Sequence, residues 1–397
     1  MKALTGCILV VCLAAPAVRA QTPGAAPQRP GTSCQPTGFF PGPARFKSVD
    51  VAADGRVTFR LCAPDATTAL VTSSDYAPAI PMGFGGGPPG LAMGKDTSGL
   101  WSVTTAVPVE PGTYRFNFRV NGARVPDPQA TRFSEERVGV NSTFEVTGPE
   151  GAFQAYDPKL PHGTVSVIEY WSATLDAKRR AHVYTPPGYT KSAARYPVLY
   201  LVHGAGDSDD SWTSVGHAHY ILDNLIAAGK AKSMIVVMPF GHTPDRPGAD
   251  MLTNQDFGND LQKDLIPFVE ANYRTTNGPA TRAMAGLSMG GAHTLQFGLT
   301  HPDRFGYVGV FSMGLMDTTQ LASYESRNAA ALRRGAKELK LVYYAVGKED
   351  FLYRSIAPTR ALLDRYGVKH VYNESGGGHT WTNWRHYLAD FVPRLFR

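Results

Sequence analysis

The stretch "AMAGLSMGGAHT", residues 283–294, runs from small apolar residues into glycines around a single serine. Gly286, Ser288 and Gly290 stand at alternate positions, and glycine leaves room there for a tight turn. The apolar residues before Ser288 favour a strand, and the residues after it favour the start of a helix. This order predicts a strand–turn–helix unit with Ser288 at the turn.

The same alternation of strands and helices continues through the C-terminal part of the chain. Continuous apolar runs are typical of strands buried on both faces of a sheet, and they include "YPVLYLV", "SMIVVMP", "RAMAGL", "YVGVFS" and "KLVYYAV". Amphipathic stretches between these runs fit crossover helices. Residues 165–397 are therefore predicted to form an α/β domain with a mostly parallel central sheet. Its ligand site is expected at the carboxyl ends of the strands.

The residues before this domain have a different pattern. Residues 44–148 contain short alternating runs separated by glycine, proline and aspartate, which predicts a small all-β immunoglobulin-like sandwich. Asn121-Gly122 is a strong hairpin signal within it. The glycine-rich segment "PMGFGGGPPGLAMG", residues 81–94, is expected to be a mobile loop. Residues 149–164 are expected to link the two domains.

The N-terminal segment resembles a targeting signal. Residues 1–20 combine an early lysine, an apolar run and small residues at their end, which predicts a cleaved secretory signal. A short membrane anchor is the alternative. Residues 21–43, rich in proline and glycine, are expected to be a linker. Export would make the protein secreted or periplasmic and leave Cys34 and Cys62, either paired or unpaired.

The charge balance excludes some classes of partner. The 397 residues include 39 Lys and Arg against 33 Asp and Glu, a formal net charge of +6, and no basic block stands out. Nucleic-acid binding is therefore not indicated. No segment after the signal is apolar enough to span a membrane, so no membrane partner is expected. The oligomeric state stays open.

The predicted position of Ser288 suggests a chemical role. G-x-S-x-G between a strand and a helix is the nucleophile elbow of α/β-hydrolases, although the serine could also be a small residue in a glycine-rich turn. A serine nucleophile needs a histidine to take its proton and an acid to orient that histidine. His379, in the loop "NESGGGHTW" after the last apparent strand, is the predicted base.

The acid has three candidates. Asp350 and Glu349 follow the strand "KLVYYAV", and Asp317 follows the strand before it. Asp350 is favoured because it leaves one crossover before the histidine in the order serine, acid, histidine. Glu349 and Asp317 are the alternatives, and each could be an ordinary solvated carboxylate.

Donors for a developing oxyanion are expected from two backbone segments. The N–H of Met289 directly follows the nucleophile, and Ala205 or its neighbour Gly204 lies in the loop after "PVLYLV". The glycines of this loop could instead serve only to form its turn. His203 is expected to orient this loop, because it has no partners at metal-ligand spacing. The reaction needs no metal and no cofactor.

Several segments together resemble a known family. They are "LYLVHGAGDSDDSW", "DNLIAAGKAKSMIVVMP", "AGLSMGGAHTL", "GKEDFL" and "GGGHTWTNWRHYLADFVPRLF". They resemble secreted carbohydrate esterases, including feruloyl and acetylxylan esterases, close to the esterase D and enterochelin esterase group. The likeness implies the triad Ser288, Asp350 and His379. The front domain looks like the early-set sandwich, related to glycogen-binding modules, that is often joined to such esterases.

The sequence leaves the acyl group open. Trp212, Phe240 and Trp381, with Trp384 close by, could form an aromatic wall for an aromatic acid, although each could instead be a core residue. The polar segment 241–260 is the expected variable wall. The expected partner is an ester-substituted polysaccharide or oligosaccharide, with feruloyl favoured over acetyl. The alternatives are a siderophore trilactone esterase, an acyltransferase, and a carbohydrate-binding protein with an inactive hydrolase domain.

Overall fold

The computed structural model describes residues 33–35, 45–83 and 88–397. The predicted signal, residues 1–20, lies outside the described residues, as does most of the predicted linker 21–43. Cys34 is described, and it forms a disulfide with Cys62, with their Cα atoms 5.6 Å apart. The two cysteines left open by the sequence are thus joined, which ties the linker to the β domain.

The β domain, residues 45–148, contains two sheets that share one hydrophobic core. The core is rich in aromatic rings, with Phe59, Phe116 and Phe144 in mutual contact. The sheet orders are β1-β2-β6-β5 and β4-β3-β7-β10-β9, with β8 paired to β7. The strands are β1 Val49–Val51, β2 Val57–Cys62, β3 Ala69–Thr72, β4 Leu91–Ala92, β5 Gly94–Lys95, β6 Leu100–Thr104, β7 Gly112–Val120, β8 Ala123–Val125, β9 Phe133–Glu135 and β10 Val140–Val146.

The β domain contains the predicted hairpin at Asn121-Gly122 and part of the predicted glycine-rich loop. Asn121 and Gly122 join β7 to β8 with φ angles of 48° and 86°, as a two-residue hairpin turn requires. Of the predicted loop 81–94, residues 84–87 lie outside the description. The end of that segment is ordered instead into β4 and β5, because both short strands extend existing sheet edges.

The α/β domain is built on an eight-stranded sheet of order β11-β12-β14-β13-β15-β16-β17-β18. Strands β11, β12 and β14 pair antiparallel at one edge, and the other pairs are parallel. The strands are β11 Thr164–Ser172, β12 Ala177–Thr185, β13 Val198–Val202, β14 Ile235–Pro239, β15 Arg282–Leu287, β16 Tyr307–Phe311, β17 Leu341–Gly347 and β18 Val371–Ser375.

Helices cover both faces of this sheet, so its central strands are buried on both sides, as their continuous apolar runs predict. None of the helices in the described ranges is long and apolar enough to cross a membrane. The helices are α1 Ser211–Ser214, α2 Ala218–Ala227, α3 Asp256–Asp260, α4 Ile266–Asn272, α5 Met289–His293, α6 Thr318–Glu338, α7 Ile356–Arg365 and α8 Trp381–Phe391. π-helical turns follow α3 at Leu261–Leu265 and α5 at Thr294–Gly298. 3-10 turns span Pro149–Gln154, Tyr189–Lys191, Pro279–Thr281, Tyr353–Ser355 and Val392–Arg394.

The two domains are packed together through buried polar contacts. Arg385 of α8 donates through Nη1 to the carbonyl oxygen of Thr113 on β7, at 2.7 Å, and to that of Val215, at 3.0 Å. The expected linker 149–164 is part of this interface, because the Asn224 side chain of α2 donates to its backbone and Gln154 is buried. The segment therefore holds the domains in contact.

His217 makes stability depend on pH at this interface. Its Nδ1 lies 3.1 Å from the Gln154 carbonyl oxygen and its Nε2 lies 2.9 Å from Thr113 Oγ1, so the neutral ring donates to the first and accepts from the second. Burial, and then the charge of Arg385, lower the pKa of His217 to about 4. The unfolded chain restores a pKa near 6.5 and binds the proton more tightly. The free energy of unfolding therefore has its full contribution from His217 above about pH 6.5. It falls by up to about 3 kcal/mol as the pH drops towards 4.

We expect the melting temperature of the wild type to fall between pH 6.5 and 4, and to fall less steeply in His217→Asn, in which this ring no longer titrates. Asparagine suits the site because it tolerates the positive φ of 50° found there. Thermal unfolding followed by circular dichroism at a series of pH values measures both slopes. Equal slopes in the two proteins would contradict the assignment.

Candidate active site

Ser288 lies at the sharp turn between β15 and α5. Its φ and ψ angles are 51° and −116°, a strained conformation for a residue with a side chain. Its N–H donates to the carbonyl oxygen of Phe311 on the neighbouring strand, at 3.0 Å. A Cβ atom on Gly290 would lie 2.3 Å from the Val202 carbonyl oxygen, and one on Gly286 would lie 2.4 Å from the Gly290 backbone. Only glycine fits at these two positions, which accounts for the spacing in the sequence.

Asp350 and His379 are in direct contact. The Nδ1 atom of His379 lies 3.0 Å from each carboxylate oxygen of Asp350. Asp350 follows β17 and is buried, whereas the His379 side chain, after β18, is partly exposed. The hydrogen bonds assign the proton to Nδ1, because a carboxylate can only accept, and this leaves the Nε2 lone pair free to take a proton.

The other two acid candidates have different surroundings. Asp317 caps α6, where its carboxylate accepts from the Gln320 N–H at 2.8 Å. Glu349 is exposed to solvent. Of the three carboxylates, all in the described part of the chain, Asp350 is the one in contact with His379.

Trp384 connects the surroundings of Ser288 and His379. Its ring lies edge-on to that of His379, with 4.9 Å between centroids, and its Nε1–H donates to Ser312 Oγ at 3.0 Å. Ser312 directly follows Phe311, which holds the Ser288 N–H. Among the described residues, Ser288 Oγ and His379 Nε2 form no hydrogen bond. Such bonds often tighten only when substrate binds. The serine and the histidine thus lie at the same edge of the sheet.

The loop after β13, residues 203–207, is here called the oxyanion loop. A Cβ atom on Gly204 would lie 3.6 Å from Ser288 Cβ, so the loop runs beside the serine. The Gly204 N–H donates to Asp207 Oδ2 at 3.1 Å and is therefore occupied. This leaves Ala205, which is exposed, as the candidate donor from the loop. The Met289 N–H opens α5 and, like every first-turn N–H, has no acceptor within its helix.

His203 and Asp207 fix this loop from within. The Nδ1–H of His203 donates to the Gly204 carbonyl oxygen at 2.8 Å, and its Nε2 accepts from the Gly241 N–H at 2.8 Å. Burial lowers the pKa of His203 to about 4, which keeps the ring neutral. Burial raises the pKa of Asp207, but the charge of Arg115 and the hydrogen bonds from Arg115 and the Gly204 N–H act together against it, and the pKa is held below its ordinary value. In the described ranges no three His, Cys, Asp or Glu side chains are grouped as metal ligands.

The aromatic residues require a correction. Trp212 and Trp381, expected in a substrate pocket, are 1% and 0% exposed, because the helices that carry them turn these rings towards the sheet. They belong to the core, where Trp212 contacts Trp381 and Trp381 contacts Trp384. The two rings therefore pack beneath Trp384, which contacts His379, and they do not line a substrate pocket.

Phe351 is an aromatic residue that the sequence reasoning missed. Its ring is 69% exposed and lies 4.4 Å, between centroids, from the ring of His379. Its position directly after Asp350 in "GKEDFLY" was the available signal. An exposed aromatic ring beside the predicted base is suited to contact a bound acyl group.

A cavity of about 640 Å³ lies between the two domains beside the oxyanion loop. Phe240 and His242 line it from the α/β domain, so the predicted variable segment 241–260 contributes to its wall. Arg137 and Val138, at the exposed tip of the β9–β10 hairpin, line it from the β domain. The Arg137 N–H donates to the Gly206 carbonyl oxygen at 3.4 Å, which places this tip against the loop. No local sequence signal indicates such a contact across domains.

The chain is similar in sequence to known esterases. The family described as "Putative esterase" matches residues 172–395. The "Endo-1,4-beta-xylanase/feruloyl esterase" of Xylanibacter ruminicola is 31% identical over 371 residues, which are 90% of this chain and 48% of that protein. The chain thus spans about half the length of this relative.

Two solved structures are similar in fold. A ferulic acid esterase is 25% identical, with a TM-score of 0.51 over 59% of this chain and 97% of that one. The enterobactin esterase FES of Shigella flexneri is 18% identical, with a TM-score of 0.59 over 85% of this chain and 92% of that one. At the latter identity the likeness shows the fold alone, which is that of α/β-hydrolase esterases.

Proposed function

We propose, from the membership of this chain in the esterase family whose model matches residues 172–395, that it is a serine-type carboxylic ester hydrolase and that its substrate is a feruloyl ester on a plant cell-wall polysaccharide. The observation that carries the choice of substrate is the 31% identity, over 90% of the chain, with a xylanase/feruloyl esterase. The exposed ring of Phe351 beside His379 supports an aromatic acyl group.

The proposed mechanism assigns one step to each side chain. Ser288 Oγ attacks the ester carbonyl while His379 Nε2 takes its proton, and Asp350 holds the imidazole in the required tautomer. The N–H groups of Met289 and Ala205 stabilise the oxyanion. Collapse of the tetrahedral intermediate breaks the ester bond, and His379 returns the proton to the departing sugar hydroxyl. Water then attacks the acyl-enzyme by the same route and releases the acid and free Ser288.

The remaining parts of the chain fit an enzyme that works outside the cytoplasm. Residues 1–20 are proposed to be a secretory signal, and the protein to be secreted or periplasmic. The disulfide between Cys34 and Cys62 supports an oxidising compartment. The β domain is proposed to be an early-set sandwich related to glycogen-binding modules, and its contribution to the cavity at Phe240 would let it contact the polysaccharide.

Hydrolysis of methyl ferulate, 4-nitrophenyl acetate and acetylated xylan by the purified protein tests the proposed substrate. We expect ferulate release with a higher kcat/KM than acetate release. Phe351→Ala is the matched contrast, because its exposed ring can be removed without opening the core. The variant is expected to lose about fivefold in kcat/KM for methyl ferulate, the value of one aromatic contact, and to keep its rate on 4-nitrophenyl acetate.

Other outcomes would reassign the substrate. Acetate release from xylan without ferulate release would make the protein an acetylxylan esterase. Hydrolysis of an aryl trilactone siderophore, faster than that of methyl ferulate, would favour the siderophore alternative. Transfer of the acyl group to an added sugar at the expense of free acid would indicate an acyltransferase.

A further inference from the structure

A buried ionic chain runs from the β domain to the oxyanion loop. Arg115 of β7 donates to the Asp75 carboxylate through Nη2, at 2.8 Å, and through Nε, at 3.1 and 3.2 Å. Its other terminal nitrogen, Nη1, crosses to the α/β domain and donates to Asp207 Oδ1 at 2.6 Å. All three side chains are almost fully buried. A guanidinium from one domain is thus shared between a carboxylate of its own domain and one of the oxyanion loop.

The two oxygens of Asp207 have separate partners. Oδ1 accepts from Arg115, and Oδ2 accepts from the Gly204 N–H at 3.1 Å. The Asp207 N–H donates in return to the Gly204 carbonyl oxygen at 3.1 Å. Since Gly204 lies beside Ser288, the orientation of the Asp207 carboxylate sets the position of the peptide next to the nucleophile.

Stability alone is a poor explanation for this arrangement. Burying an arginine with two carboxylates costs desolvation energy that apolar side chains of similar size would avoid, so such groups are weak evidence for stability. Their hydrogen bonds do fix geometry. An oxyanion donor has to be held in place before the reaction, since its contribution depends on preorganisation.

We propose that Arg115 is a positioning residue for ester hydrolysis, and that the β domain acts through it to hold the Gly204–Ala205 peptide as an oxyanion donor. The inference rests on the proposed mechanism but not on the identity of the acyl group. Arg115 does not touch the substrate; it acts through Asp207. The β domain is then a part of the catalytic unit in addition to any contact it makes with a polysaccharide.

The test uses the full chain with Arg115→Met, Arg115→Lys and Asp207→Asn. Thr113→Val is the matched control, because Thr113 lies on the same strand and makes an interface hydrogen bond to His217, away from the oxyanion loop. For 4-nitrophenyl acetate, we expect Arg115→Met and Asp207→Asn to lower kcat about 30-fold with KM within about twofold, a partial loss of one oxyanion donor. Arg115→Lys should recover part of kcat, and Thr113→Val should keep it.

Affinity for phenylboronic acid separates positioning from general damage to the fold. The boronate forms a tetrahedral adduct on a serine nucleophile and needs the same oxyanion donors, so its inhibition constant should rise in parallel with the loss of kcat. Rates are expressed per active site, counted by complete labelling with a fluorophosphonate. If Arg115→Met does not fold, Arg115→Lys and Asp207→Asn decide the question by the same readouts.

The proposal is overturned if the folded variants keep kcat per active site and boronate affinity within about threefold of the wild type while melting at a lower temperature. This result would assign the chain of charges to stability alone. Failure of the proposed substrate is a different outcome, since the wild type would then not hydrolyse methyl ferulate. The generic ester and the boronate would still report on Arg115 in that case.

Discussion

Hydrolysis of methyl ferulate by Ser288→Ala is expected to fall at least about 10,000-fold in kcat, with a binding affinity for ferulate close to that of the wild type. The alanine removes the proposed nucleophile, so the proposed acyl-enzyme cannot form, whereas the proposed oxyanion donors and acyl site stay in place. Steady-state kinetics with product separated by chromatography measures the loss, and equilibrium binding of ferulate checks the site. The same loss is expected with 4-nitrophenyl acetate, because the nucleophile is common to every ester.

Ser312→Ala is the matched comparison for this variant. Ser312 also follows a central strand and also has a φ of 51°, but its hydroxyl accepts a hydrogen bond from Trp384 and the residue is fully buried. We expect its kcat to fall less than about tenfold, since only one buried hydrogen bond is lost. Wild-type activity in Ser288→Ala, or equal losses in the two variants, would refute Ser288 as the nucleophile.

Asp350→Asn is expected to lower kcat about 1,000- to 10,000-fold with little change in KM. The asparagine side chain keeps the size of Asp350, but it cannot stabilise the imidazolium that forms when His379 takes the serine proton. It can also donate to Nδ1 and so favour the wrong tautomer. Because the site is otherwise intact, the melting temperature should stay close to that of the wild type while kcat falls.

Two neighbouring carboxylates provide controls for this second prediction. Glu349→Gln alters the adjacent exposed residue and is expected to keep kcat within about twofold, since surface substitutions of this kind have small effects. Asp317→Asn alters the cap of α6 and should cost at most about 1 kcal/mol of stability with no loss of rate. A large loss in either variant, with activity kept in Asp350→Asn, would move the acid to that residue.

The local parts of the fold and site could be read from the sequence. The turn around Ser288 depends on glycines at fixed spacing and on the apolar strand before them, and both are local patterns. Strand order favours Asp350 over Asp317 as the acid but does not separate it from Glu349, which follows the same strand, and the structure brings Asp350 against His379. The hairpin at Asn121-Gly122 is local in the same sense, because two consecutive positive φ angles favour those residues.

The parts that the sequence could not supply depend on contacts between distant segments. Trp212 and Trp381 are residue types that often line aromatic pockets, but residue type does not show which way a helix faces. Both rings lie in the core. The sequence offers Gly204 and Ala205 equally as donors, and the hydrogen bond from the Gly204 N–H to Asp207 distinguishes them. Arg115 lies 92 positions before Asp207 in the chain, so no motif connects them.

The contact between Trp384 and His379 has a spectroscopic consequence. The protein has five tryptophans, and three of them, Trp212, Trp381 and Trp384, form one buried column of rings that ends at His379. Indole fluorescence is quenched by a nearby imidazolium more than by a neutral imidazole. Trp171, which is 63% exposed, is expected to emit at longer wavelength than the buried rings, whereas Trp101 in the core of the β domain is buried and adds a constant background to them. We therefore expect the intrinsic emission of the protein to respond, without an added label, to changes at His379.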